Sequence, residues 1–186
     1  MRPKVLFVLA MIISLPTLAS SAPKPPPAPE GFSWKRIAEI KAAFLMPDGW
    51  FFKSEAAGGT LAYFFTAEKI EKGGQFETGL TINVFKNLKD KDARAYAEAF
   101  AAKTAEQHEA IRKWEVELGS LHGFGVITRQ AGKEGVPTIV VSTLAIGNSR
   151  TNTLYLLLFE SPESRWEAEW RKGEKMFELF FLDDEG

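Results

Sequence analysis

The sequence predicts an α+β domain: a central antiparallel sheet of about six to seven strands sandwiched between helices. Three observations carry this. Short stretches alternate apolar and polar residues, as half-buried strands do: Leu80, Ile82 and Val84 flank Thr81 and Asn83, and Trp114, Val116 and Leu118 alternate with Lys113, Glu115 and Glu117. Ile139 to Ile146 and Leu154 to Phe159 are apolar on both faces, so this part of the sheet needs cover above and below. Two other segments carry helical spacing instead.

The elements follow in order. Leu61, Tyr63 and Phe65 share one face of a strand ahead of Leu80–Val84. A first helix is expected from Asp90 or Asp92 to about Ala110. Ala93, Tyr96, Ala97, Phe100 and Thr104 fall on one side of it, and either Asp can cap its start. Four strands follow, joined as antiparallel hairpins. Gly119 to Gly123, Gly132 to Gly135 and Gly147-Asn148-Ser149 offer the turns. The last helix is expected to begin at Ser161-Pro162-Glu163, with a cap, a proline at the first helical position and an early acid. Trp166, Trp170, Gly173, Phe177 and Phe181 then fall at i, i+4, i+7, i+11 and i+15 as one aromatic stripe. A glycine inside a helix costs roughly 1 kcal/mol relative to Ala. A close approach to the sheet at Gly173 would account for it.

Residues 1–22 read as a secretory signal peptide rather than as fold. Arg2 and Lys4 precede an apolar run from Val5 to Leu18, and Ala19, Ser20, Ser21 and Ala22 supply the small residues of a cleavage site. The cut is expected after Ala22, or alternatively after Ser21. The run is too short to span a bilayer and Pro16 interrupts its end. Residues 23–30 form a proline-rich linker, with five of the chain's 10 prolines between Pro23 and Pro29. Residues 31–186 are expected to form a single domain. The chain has no cysteine, so neither a disulfide scaffold nor a lipoprotein anchor is available. It also has no N-x-[ST] acceptor. The expected location is the periplasm or the exterior, with no membrane span once the signal is removed. The 23 Lys+Arg against 24 Asp+Glu leave a formal charge of -1, which gives no footprint for nucleic acid. A monomer is expected.

Three stretches resemble the PsbP-like family, whose fold is shared with a Ran-binding protein of the Mog type and with bacterial exported proteins such as DcrB. They are Ala43 to Trp50, with its Pro-x-Gly-Trp pattern ahead of a strand; Gly79 to Phe85 with its downstream helix; and Tyr155 to Phe159, followed by Ser161-Pro162 and a helix ending in Phe177, Phe180 and Phe181. The likeness spans most of residues 31 to 183. It implies an antiparallel sheet between helices and a protein that acts by binding other proteins. It implies no shared enzyme activity and brings no catalytic residue with it. Some photosynthetic members bind metal through His and acidic groups, but those positions are not matched in this chain, which has two His.

No constellation of residues declares a chemistry. Ser120 and His122 lie two apart, yet there is no G-x-S-x-G elbow and no third triad member. Gly119-Ser120-Leu121-His122-Gly123 reads better as a turn. Glu106, His108 and Glu109 fall short of a zinc set and read as a solvated helix face. Asp183, Asp184 and Glu185 are tail acids. Gly123-Phe124-Gly125 leads into a strand, so it cradles no phosphate. Gly58-Gly59 and Gly73-Gly74 are loop glycines. Pro47-Asp48-Gly49-Trp50 is first of all a turn. What stands out is the aromatic count, with five Trp and 15 Phe. Trp34, Trp50, Phe51 and Phe64 are the candidates for an interaction surface.

The leading expectation is therefore an exported, non-catalytic domain that binds an unidentified protein partner or assists assembly in the bacterial envelope, with no cofactor, catalytic residue or metal ligand assigned. The alternative is a small-ligand or metal-binding protein using a cleft at the sheet edge. A hydrolase built on Ser120 and His122 is the third.

Overall fold

The computed structural model describes residues 25–57, 59–71, 74–86, 88, 92–132 and 135–182. The signal segment, the tail acids, Gly58, Gly73 and Asp90 lie outside the described residues. The strands are β1 (Phe32–Ile37), β2 (Ala42–Pro47), β3 (Phe51–Ala57), β4 (Thr60–Thr66), β5 (Gly79–Phe85), β6 (Glu109–Leu118), β7 (Leu121–Gln130), β8 (Ile139–Asn148), β9 (Thr153–Pro162) and β10 (Phe180–Phe181). The helices are α1 (Ala93–Gln107) and α2 (Trp166–Glu178). Seven strands form one sheet in the order β3-β4-β5-β9-β8-β7-β6, with every neighbouring pair antiparallel. A second sheet of three strands, β1-β2-β10, was not foreseen in the sequence.

The two-sided strands sit where burial demands them. β9 lies at the centre of the large sheet with β8 beside it. Leu154 and Leu156 of β9 face α1, whereas Tyr155, Leu157 and Phe159 face α2 and the small sheet. The larger core lies on the α2 side, where Tyr63, Phe65, Leu80, Ile82 and Val84 meet Phe44, Leu45 and Met176. The smaller core lies under α1, around Ala97, Ala145, Leu154 and Leu156.

α1 is short-sided by composition. Its buried positions are Ala93, Ala97 and Ala101, and Phe100 packs partly buried beside them, whereas Tyr96 is exposed, which corrects its expected place on the apolar face. Small side chains let the helix ride close to the sheet. At Gly147 of β8 a Cβ would stand 2.4 Å from the Ala93 carbonyl carbon. Gly147 and Asn148 therefore belong to the strand, and the turn lies one step later, with Asn152 at φ 49°. Asp92 caps the helix through the Arg94 amide at 3.2 Å. The Asn152 carboxamide oxygen accepts from the Ala93 amide at 2.9 Å, satisfying another of the unpaired donors of the first turn. The helix ends at Gln107, and β6 starts at Glu109, so residues up to Ala110 are not helical.

α2 departs from its expected limits at both ends. Ser161 and Pro162 finish β9, and a single 3-10 turn (Glu163–Arg165) precedes Trp166. Ser161 does not cap the helix. Its hydroxyl lies 3.2 Å from that of Thr78, across the β5 end of the sheet. At the other end Phe181 leaves the helix and pairs with Ala43 in β10. The stripe itself holds through Phe177. Trp166 stacks on Trp170 with centroids 5.0 Å apart, and Phe159 meets both edge-on. Gly173 lies over this ring, and a Cβ there would be 2.9 Å from three Phe159 ring atoms.

Candidate functional site

The four aromatic candidates do not form one surface. Trp34 lies on β1, edge-on to Phe181 at 5.3 Å. Its indole N–H donates to the Pro26 carbonyl at 2.7 Å. Ala28 packs on the core and the Phe32 amide donates to the Pro29 carbonyl, so this part of the proline segment lies against the domain. Trp50 follows the Pro47-Asp48-Gly49 turn, where Gly49 has φ 79° and the Trp50 amide donates to the Pro47 carbonyl. Its ring stacks on Phe159 at 6.3 Å, with the Lys172 ammonium 5.7 Å from its centroid. Trp50 therefore belongs to the aromatic packing under α2.

Phe51 and Phe64 do come together. Register places Phe51, Lys53 and Glu55 of β3, Phe64 of β4 and Glu160 of β9 on the same face of the large sheet as α1. α1 packs mainly against β7, β8 and β9, with Phe85 at the end of β5 beside its core cluster, so among the described elements most of the β3–β5 half of this face carries no helix. Phe51 is 43% exposed as a result. The described parts of the connection between β4 and β5, residues 67–71 and 74–78, fold back toward this half-face. Its neck is fastened. The Glu68 carboxylate accepts from the amides of Glu77 and Thr78, and the Thr66 hydroxyl donates to the Glu68 carbonyl at 2.7 Å. Arg165 bridges Glu77 at 2.7 Å and Glu68 at 3.7 Å.

Between loop and sheet lies an open cleft of about 400 Å³, lined by Lys53, Glu55, Phe64, Ile70, Gly74, Gln75, Phe76 and Glu160. Phe76 meets Phe64 edge-on at 6.4 Å. Lys53 and Glu55 pair with each other at 2.7 Å. Glu160 has no hydrogen bond or ion pair to any described residue, and burial alone pushes its carboxyl above the usual range. Gly79 sits beside it in the β5–β9 register. A Cβ at Gly79 would come within 2.6 Å of the Phe65 carbonyl oxygen and 3.0 Å of the Phe76 ring. The bare strand position thus lets Phe76 lie down beside Glu160. Sequence reasoning found Phe64 but missed Glu160 and Phe76. A lone charge directly after the apolar run Leu154–Phe159 was the available signal.

The remaining candidates are occupied elsewhere. His122 opens β7 and its Nδ1 lies 3.3 Å from the Glu117 carboxylate, while Ser120 is in the two-residue turn after β6. Glu109 is paired with Arg129, which also holds Glu163 at 2.6 Å. His108 forms the C-cap of α1. Among the described residues no group of three His, Cys, Asp or Glu converges as a metal site. None of the described helices is long and apolar enough to cross a membrane.

No family model matches the chain, and no curated relative matches its sequence. Solved structures do. The cyanobacterial PsbP protein (CyanoP) of Synechocystis superposes with a TM-score of 0.54 at 15% identity, over 84% of this chain and 95% of that one. The Ran-binding protein Mog1p of Saccharomyces cerevisiae gives 0.51 at 14% identity, over 83% and 96%. LpqN of Mycobacterium tuberculosis, a protein involved in cell envelope biogenesis, gives 0.50 at 10% identity, over 76% and 83%. Likeness at this level of identity speaks to architecture, and the chain has the fold shared by PsbP, Mog1 and LpqN.

Proposed function

We propose that this chain is an exported, non-catalytic PsbP-like domain that binds a protein partner, as an accessory or assembly factor of the bacterial envelope. The observation that carries the reading is the half-face left bare by α1, where Phe51 is 43% exposed beside Phe64. An exposed aromatic on an edge strand is a natural anchor for a partner, because aromatic side chains dominate interface energetics. Lys53 and Glu55 on the same strand guard it against indiscriminate sheet-to-sheet pairing. Two of the structural neighbours, a Ran-binding protein and a protein of envelope biogenesis, lend the reading support. The apolar run ahead of Ala22 supports export.

The test is crosslinking with mass spectrometry in the native envelope, comparing the wild type with Phe51→Ser and with Ile111→Ser. Ile111 is also exposed, on the opposite edge strand, β6. The expected result is one reproducible partner that Phe51→Ser loses and Ile111→Ser keeps. A partner whose crosslinks survive Phe51→Ser would overturn the assignment of this face.

A further inference from the structure

The cleft under the β4–β5 loop differs from a plain packing surface in its charge. Its walls are apolar at Phe64, Ile70 and Phe76. Among the described residues lining it, the one cation, Lys53, is already taken by Glu55. Glu160 remains, a half-buried carboxyl at the sheet end of the cleft with no partner among the described residues. A desolvated acid without a donor is a standing cost to the fold, and a bound cation would relieve it.

We propose that this cleft binds a small organic cation, an ammonium or amidinium group on an apolar and preferably aromatic body, with Glu160 receiving the charged nitrogen and Phe64 and Phe76 flanking the body.

Each alternative class of ligand fits less well. An anion would meet two carboxylates and a lysine that is already paired. A neutral apolar molecule would bury Glu160 further without giving it a donor. A bare divalent ion needs several converging oxygens, and no such group of three forms among the described residues. The cleft's 400 Å³ falls within the roughly 300–1,000 Å³ of small-molecule sites. Aromatic rings beside a cation add attraction, more so where the cation is desolvated. The clasped loop neck keeps the roof in place before the ligand arrives, which limits the ordering cost of binding.

A linked proton gives the site a signature. Burial holds the Glu160 carboxyl above its ordinary range, and a bound cation would pull it back down. Binding therefore releases protons, and affinity rises with pH across the interval between the free and bound values. Lys53 and Glu55 are the other titratable groups among the described residues lining the cleft, and they neutralise each other.

The experiment titrates the full chain with 2-phenylethylamine, 2-phenylethanol and 3-phenylpropionate by calorimetry, for the wild type, Glu160→Gln and Phe64→Ala. The amine should bind at least tenfold tighter than the alcohol or the acid and should release protons. Glu160→Gln, which is isosteric and removes a desolvated charge, should stay folded and lose that preference. Phe64→Ala should weaken the amine and the alcohol alike. No heat with any of the three, equal binding of all three, or a preference for the amine that survives Glu160→Gln would overturn the proposal. The assay involves no protein partner, so its failure leaves the Phe51 interface standing, and the loss of that interface leaves this site standing.

Discussion

Gly173→Ala sets two effects of opposite sign against each other. Alanine is favoured over glycine within a helix by about 1 kcal/mol, so a helix considered alone gains stability. The new methyl would stand 2.9 Å from three atoms of the Phe159 ring. That ring is fully buried and has nowhere to go: Trp50 stacks on it, and Trp166 and Trp170 close its sides at 5.9 and 5.6 Å. Forcing a methylene into such a core costs about 1–3 kcal/mol. The clash should win, leaving a net loss of up to about 2 kcal/mol and a fall in Tm of up to about 8 °C for a domain of this size. The assay is urea unfolding followed by tryptophan fluorescence, with Ala168→Gly on the exposed side of α2 as the reference for propensity alone. The reference should lose about 1 kcal/mol without any clash. A Gly173→Ala protein as stable as the wild type, or more so, would show that α2 has slack over the sheet and would refute the close-approach argument.

Four further outcomes are expected. Tyr63→Phe should lose about 1 kcal/mol, because the phenol donates to Glu39 at 2.9 Å, and urea titration reads it directly. In the wild type, burial followed by the Glu39 hydrogen bond and charge raises the Tyr63 phenol, so the ultraviolet titration change lost in Tyr63→Phe should lie above the ordinary tyrosine range, with stability falling as pH rises past about 10. Glu160→Gln should stabilise the domain at neutral pH. The native state holds that proton more tightly than the unfolded chain, so wild-type stability falls as pH rises from about 4.3 to the raised native value. The gap to the variant should open over that interval, and a constant gap from acid to neutral pH would count against the desolvation argument. Ser142→Ala should be neutral or stabilising by up to about 1 kcal/mol, since the buried Ser142 hydroxyl has no partner among the described residues; a loss above about 1 kcal/mol in thermal unfolding would reveal a bond that the structure lacks.

The large sheet was legible because burial writes itself into periodicity. The two-sided strands β8 and β9 could only be central, and the seven-stranded order places them there. Gly173 was legible for the same reason, as a residue whose propensity cost needed a packing cause. What failed were boundaries and long-range pairing. Ser161-Pro162-Glu163 has the residue types of a helix start, but the Thr78 hydroxyl competes for Ser161 from 83 positions away. Phe181 continues the helical spacing, yet pairing with β2 takes it into a strand. The small sheet was invisible because its third strand is only two residues long. The four candidate aromatics do not share one surface, and only register and ring contacts could separate Phe51 and Phe64 from Trp34 and Trp50. Glu160 was passed over at the end of an apolar run because its role depends on a loop more than 80 residues upstream.

The strand order has a consequence for how the chain reaches this state. β3, β4 and β5 are consecutive hairpins, and β6 to β9 are another consecutive set, but the seam between the two sets is β5 against β9. Gly79 meets Glu160 and Phe85 meets Leu154 across that seam, so it cannot close until almost the whole domain is available. The small sheet is completed later still, by Phe180 and Phe181 on β2. Such late, non-local closure makes for slow folding, with the inner edge of β5 left open in the meantime. A chain that emerges from its N-terminus therefore stays unlocked until its last two aromatic residues arrive, and losing a few residues at that end should do more harm than losing as many from the proline segment.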